Sequence, residues 1–344
     1  MLRNINFLLA DTSVNLSTPS LTRIKGGYEE VYKYIDNHGF NEYYYKYSKE
    51  LVAPIYRGCS YYGQYFMRIP DYRVSANTSN IYTFYTSNLL PSWKDKPKRN
   101  KSFICSLSQS YSENFGEELY AVFPHNDAKI GICPNDDMWD SFNITNLFES
   151  SASLININKA FINIFKFKFI KEYITYITNN IENEGNENLE KLYTIIDLVE
   201  EYAPKSKKCL ELINQANPAI DKIIKTLTTL RPIWSEIIST LLNVVEKINS
   251  NSTGNNKLKT MLEYYNEEKT LENYVIIQFI TCIISGKTEI DVLDRILNFD
   301  TNGFSYCTGS TFDIKPSKNN INEVWIEGPC LFADLGDSWD DDDE

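Results

Sequence analysis

Histidine chemistry is thinly supplied in this chain: only His38 and His125 occur among 344 residues. His38 lies between Asn37 and Gly39 and His125 follows Pro124, both settings that favour turns. No Walker loop, no G-x-G-x-x-G after a strand, no H-E-x-x-H and no G-x-S-x-G is present, which removes the familiar nucleotide, zinc-protease and serine-hydrolase signatures. Asp136, Asp137 and Asp140 could serve a hard cation in hydrolase or nuclease chemistry. Adjacent acids at a strand exit are ordinarily turn formers, however, and no further oxygen ligands can be identified, so no metal site is expected. Lys94, Lys96, Lys98, Arg99 and Lys101 read as either a solvated basic loop or an anion-attracting rim.

The remaining candidates occur in a definite order. Tyr56-Arg57-Gly58 closes an apolar strand that starts at Val52. Lys101-Ser102-Phe103-Ile104-Cys105-Ser106 is a serine-bearing strand, followed by Tyr111-Ser112-Glu113-Asn114-Phe115-Gly116. Tyr120-Ala121-Val122-Phe123-Pro124 comes next and, far downstream, Asn322-Glu323-Val324-Trp325-Ile326. This order resembles the mono-ADP-ribosyltransferase family of the arginine, serine, glutamate class. In that family helices run into a Tyr-Arg-Gly strand, a Ser-Thr-Ser strand and a short helix follow, and a Glu-x-Glu strand continues into Val-Leu.

The resemblance implies a transferase that uses NAD as a substrate. Arg57, with Tyr56 and Gly58 beside it, would hold the dinucleotide phosphates and ribose, since a guanidinium offers paired donors. Asn80 and Tyr82, in the polar aromatic stretch upstream of the serine strand, would join the dinucleotide site. Ser102 or Ser106 would support the nicotinamide ribose. Glu323 would stabilise the oxocarbenium-like transition state as nicotinamide leaves. Glu323 fits that place better than Glu327 because Val324-Trp325-Ile326 follows it directly. Strict counting from Phe103 puts Cys105 at the family's first serine, and Ile321 stands where the first acid of Glu-x-Glu would be. In the family that first acid accompanies arginine modification, so the acceptor residue stays open. Each residue also has a plain reading: Arg57 as a surface or ion-paired arginine, Ser102 and Ser106 as polar faces of an edge strand, Glu323 as a solvated glutamate.

The elements that must position these residues follow from periodicity. Helices are expected at Tyr28 to Ile35 and Asn41 to Leu51, and a long ordered loop at Ser75 to Pro97. Strands are expected at 52–58, 101–106, 118–124 and 129–133, with a short helix from Gln109 to Phe115. From about residue 150 to 298 the period becomes helical. One helix runs through Leu154, Phe161 and Phe169, and another stops before Pro204. Segments near Leu210–Leu230, Ile233–Ile248, Lys257–Ile284 and Glu289–Leu297 follow. Strand character returns at Phe304–Cys307 and Glu323–Glu327, and Pro329–Phe332 forms a short apolar close.

The fold class expected is α+β: an ADP-ribosyltransferase-like mixed-sheet module built from both chain ends, with a large all-helical insertion. Its parts are 1–145, the insertion 146–300, completing strands at 301–332, and an acidic disordered tail at 333–344. The net charge is −12, and seven acids crowd into the last eleven residues, leaving the body near −5. That gives no basic footprint for nucleic acid. Seven scattered cysteines without a C-x-x-C pair suit reduced thiols in a cytoplasm-like compartment. Met1 to Ala10 lacks a leader's apolar run, and Tyr274 to Ser285 is too short to span a bilayer, so neither export nor a membrane span is expected. Abundant Asn, Ile, Lys and Tyr suggest an AT-rich coding sequence such as that of a virus, phage or microbe. The partner implied is a protein acceptor, a host protein among the candidates. The competing expectation is a catalytically inactive relative of the same fold, serving as a viral structural or host-interaction protein through its tyrosine-rich surface and helical block.

Overall fold

The computed structural model describes residues 21–74, 80–142, 154–180, 186–215, 218–248, 263–265, 267, 270–317 and 319–335. Most of the acidic tail and the first twenty residues, with the reading of Met1 to Ala10, lie outside them. The chain divides into two compact units, one of residues 1–143 with 298–344 and one of residues 144–297.

The first unit is a mixed α/β body around a nine-stranded antiparallel sheet. Its strands are β1 (Leu21–Arg23), β2 (Tyr56–Cys59), β3 (Tyr65–Arg68), β4 (Phe103–Ser106), β5 (Glu118–Pro124), β6 (Lys129–Ile132), β7 (Ser305–Thr308), β8 (Glu323–Glu327) and β9 (Cys330–Asp334). Their order is β1-β3-β9-β5-β2-β4-β8-β6-β7. The C-terminal strands are therefore central: β8 lies between β4 and β6, and β9 between β3 and β5. β1 and β3 are strands the periodicity missed, each only three or four residues long.

Pleat alternation sorts the side chains of β4 and β8. Phe103, Cys105, Val324 and Ile326 enter one apolar cluster with Val31, Ile35, Phe40 and Tyr43 from α1 (Tyr28–Asn37), α2 (Asn41–Ser48) and the link between them. On the other face Trp325 meets Trp93 and Phe304 at centroid distances of 6.2 and 6.1 Å. Trp325 lies directly opposite Gly131 in the ladder, and a Cβ at Gly131 would come within 2.1 Å of the indole. The glycine thus makes room for the ring.

The stretch expected as a long loop holds a helix, α3 (Ile81–Asn88), and a short 3-10 turn, Pro91–Trp93. Ile81 to Ser87 are all buried, so no polar face betrays a helical period. Two of its polar side chains turn back on the helix itself: Thr86 Oγ1 donates to the Tyr82 carbonyl at 2.9 Å and Asn88 Nδ2 to the Phe84 carbonyl at 2.8 Å.

The second unit is helical: α5 (Leu154–Phe165), α6 (Lys168–Asn180), α7 (Asn186–Ile213), α8 (Ile220–Ile248), α9 (Leu271–Ile284) and α10 (Glu289–Ile296). The helix expected to stop before Pro204 continues through it to Ile213, and Pro232 lies inside α8, which merges two expected segments. An internal proline costs about 3 kcal/mol. Here the apolar stripes continue past it: Val199, Cys209 and Ile213 on α7, and Ile223, Leu227, Trp234 and Leu241 on α8, are buried, and the two helices pack along each other. Arg231 donates to Glu289 through Nε and Nη2, at 2.8 to 3.0 Å, and that carboxylate is 1% exposed.

Candidate functional site

A cavity of about 400 Å³ opens in the first unit where three motif-bearing strands, β2, β4 and β8, lie side by side. Its volume is within the range of small-molecule sites. The opening has a backbone cause. β2 and β4 share only the register pair Tyr56↔Ser106, whereas β4 and β8 remain paired through four residues, ending at Ser106↔Glu323. Beyond Tyr56 the ladder between β2 and β4 therefore stops, and the Arg57 side chain bridges the gap. Its Nη1 donates to the Ile104 carbonyl at 2.5 Å, and its guanidinium lies 5.6 Å from the centre of the Phe103 ring.

Direct cross-strand partners share a face, so Tyr56, Ser106 and Glu323 stand together, while Arg57 belongs by pleat to the opposite face. Arg57 still lines the cavity, with Gly58, Ser106 and Glu323. Gly58 is needed by close approach: a Cβ there would lie 2.2 Å from the Ser112 carbonyl oxygen. That contact seats α4 (Gln109–Ser112) and the 3-10 turn Glu113–Phe115 on β2, which brings Tyr111, Ser112, Asn114 and Phe115 to the cavity wall. Ser106 Oγ accepts from the Ser108 N–H at 3.0 Å, and Ser108 in turn caps α4.

Three expected site residues are not brought into the cavity. Ser102 is buried and donates to the Lys98 carbonyl at 2.8 Å, one full strand length from Ser106. Asn80 and Tyr82 belong to the start of α3, where Tyr82 packs on Trp139 at 5.8 Å. The plain readings are also corrected. β4 is a central strand and not an edge; Arg57 and Glu323 are both buried; and Arg99 of the basic run is neither solvated nor a rim residue.

Arg99 is the residue that sequence reasoning misplaced. Its Nε and Nη2 each donate to one oxygen of Glu323 at 3.1 Å, and its guanidinium lies 5.3 Å from the Trp139 ring centre. Burial acts to lower the Arg99 value, but the charges of Glu323 and Asp137 outweigh it and hold the guanidinium above its usual range. The segment that carries Arg99 is fixed to the other end of β8: Trp325 Nε1 donates to the Pro97 carbonyl at 2.8 Å, and the Lys98 N–H donates to Glu327 at 2.7 Å.

The acidic stretch 134–142 closes the remaining side. Glu323 N–H donates to the Asn135 carbonyl at 3.0 Å, and Asn322 Nδ2 donates to the Cys133 carbonyl at 2.8 Å. Asp136, Asp137 and Asp140 line the cavity as a result. Asp137 Oδ1 accepts from the Trp139 N–H at 2.6 Å, the turn-forming habit expected of it. Burial, with the neighbouring Glu323 charge second, pushes the Asp137 carboxyl up to about 6. Among the described residues no three His, Cys, Asp or Glu side chains converge as metal ligands. Burial also pushes the Cys105 thiol up to about 12 and the Cys133 thiol well above its ordinary value, so both are neutral at pH 7 and poor nucleophiles.

The site is thus a cleft lined by three arginines, Arg57, Arg73 and Arg99, by the buried carboxylate of Glu323, and by the Asp137 carboxyl raised toward neutrality. Paired guanidinium donors suit phosphates, and a fixed carboxylate suits developing positive charge. No family model, no curated protein and no solved structure matches the chain. Among the described residues no helix is long and apolar enough to cross a membrane.

Proposed function

We propose that this protein is an NAD-dependent mono-ADP-ribosyltransferase acting on a protein acceptor. The observation that carries the proposal is the convergence of Arg57, Ser106 and Glu323, from three separated sequence motifs, on one cavity. A set of unrelated polar strand residues has no reason to share a cleft. In this role Arg57 binds the pyrophosphate of NAD, and Ser106 supports the nicotinamide ribose. Glu323 accepts a hydrogen bond from that ribose and stabilises the positive charge that grows at the anomeric carbon as the bond to nicotinamide breaks. Arg99 uses one oxygen lone pair on each side of Glu323, and a carboxylate offers about four such sites, so the acid retains acceptor capacity toward a sugar hydroxyl.

One observation favours the competing function, binding of a partner without turnover: the two-pronged Arg99 contact neutralises Glu323. Incubating the chain with NAD labelled in its adenylate half and a cell extract distinguishes the two. Transfer of label to protein, with release of nicotinamide, supports the transferase; NAD retained intact and unlabelled protein supports binding alone.

A further inference from the structure

We propose that Asp137 is the general base of this cleft, taking the proton from the hydroxyl nucleophile, acceptor side chain or water, that attacks the anomeric carbon. The proposal rests on the transferase function argued above. In the step, the nucleophile's oxygen bonds to the anomeric carbon and the carbon–nitrogen bond to nicotinamide breaks. Its electron pair leaves with neutral nicotinamide, and the hydroxyl proton passes to the Asp137 carboxylate. Charge and atoms balance without any further reactant.

Geometry separates the two carboxyl groups. Glu323 stands on a central strand with both oxygens engaged by Arg99, so it is held as a fixed charge. Asp137 comes from the loop that closes the cavity on its acidic side, and Trp139 N–H is the donor to its side chain, at Oδ1. Its second oxygen has no hydrogen-bond partner among the described residues. Charged and titratable groups surround Asp137 in the cavity, where Arg57 and Arg73 also stand. Glu323 faces it from β8 and Arg99 from the turn Arg99–Lys101, with Tyr111 of α4, Cys133 after β6, and Asp136 and Asp140 in its own loop. A cavity carboxyl raised toward neutrality by burial and a neighbouring like charge is a usual setting for a general base. A carboxyl near pH 6 combines a useful proton affinity with ionisation at neutral pH.

The base acts ionised, so turnover should rise about tenfold per pH unit below about 6 and level off above it. The test is nicotinamide release from saturating NAD, measured from pH 4.5 to 8, for the full chain, Asp137→Asn and Asp137→Glu. Asp137→Asn keeps an acceptor oxygen for Trp139 N–H. It should bind NAD as the parent does and melt no lower than the parent, release nicotinamide on the order of 100-fold more slowly, and lose the rising limb. Asp137→Glu should keep the limb at a reduced rate. An active parent with an Asp137→Asn variant of equal rate and unchanged pH profile overturns the base assignment while leaving the transferase function intact. A parent that binds NAD and never releases nicotinamide overturns both.

Discussion

Arg99 and Glu323, 224 residues apart in the chain, form a two-pronged ion pair whose side chains are 2% and 8% exposed. The pair ties the 3-10 turn before β4 to the start of β8 and fixes the carboxylate on which the proposed chemistry depends. It also carries a liability, since two buried charges stay tolerable only while each has the other.

Removing the arginine should therefore be costly. Arg99→Ala leaves a buried carboxylate without its counter-charge and is expected to destabilise the first unit by about 3–5 kcal/mol, read from denaturant unfolding. Arg99→Lys, which restores charge but not the fork, should recover part of that loss.

Asp137 supplies a stability test that needs no substrate. Its native value is raised, from 3.8 to about 6, so the native state binds the proton more tightly than the unfolded state. Stability should then fall as pH rises from about 4 to 6, with the full penalty present above 6 and absent below 4. Asp137→Asn should be more stable than the parent at pH 7.5, by on the order of 2 kcal/mol, and indistinguishable from it at pH 3.5. Melting curves at the two pH values decide the matter.

Gly131 faces Trp325 across the ladder, and Trp325 in turn holds Pro97. Gly131→Ala puts a methyl group where the indole lies and is expected to cost about 1–3 kcal/mol. Because the displaced ring is bonded to the segment that carries Arg99, the same variant should also weaken NAD binding, measurable by calorimetry.

The two strand serines should behave differently. Ser106→Ala and Ser102→Ala each delete one partly buried hydrogen bond, to Ser108 and to Lys98 respectively, worth about 1 kcal/mol. Ser106 lines the cavity and Ser102 does not. NAD affinity should drop for Ser106→Ala and hold for Ser102→Ala; equal losses would mean that the wrong serine has been placed in the site.

Much of the framework was legible from residue types and period. The strands 118–124 and 323–327 are short apolar runs whose nearly continuous burial fits central strands, the short helix after Gln109 is bounded by Ser108 and Gly116, and the helical block has buried stripes at helical spacing. What could not be read has a physical reason in each case. α3 is buried on all sides and has no amphipathic period, so its Asn, Ser, Thr and Tyr residues read as a loop. α7 runs through Pro204 because its buried stripe outweighs a local penalty that sequence rules treat as a stop. Arg57, Ser106 and Glu323 could be ordered along the chain, but their adjacency depends on β8 inserting beside β4, a pairing across more than two hundred residues. Arg99 was the hardest to see: a run of lysines around it signals solvent, and only the cross-strand geometry shows that this one guanidinium turns inward.

The most direct test of the central claim is nicotinamide release from NAD by the full chain and by Glu323→Gln, each shown folded by circular dichroism and melting. Glu323→Gln keeps the shape and removes the charge, so the parent should turn over NAD and the variant should bind it while turning over on the order of 100-fold more slowly. A variant that releases nicotinamide as fast as the parent would contradict the assignment of Glu323, and a parent that binds NAD without cleaving it would contradict the transferase itself.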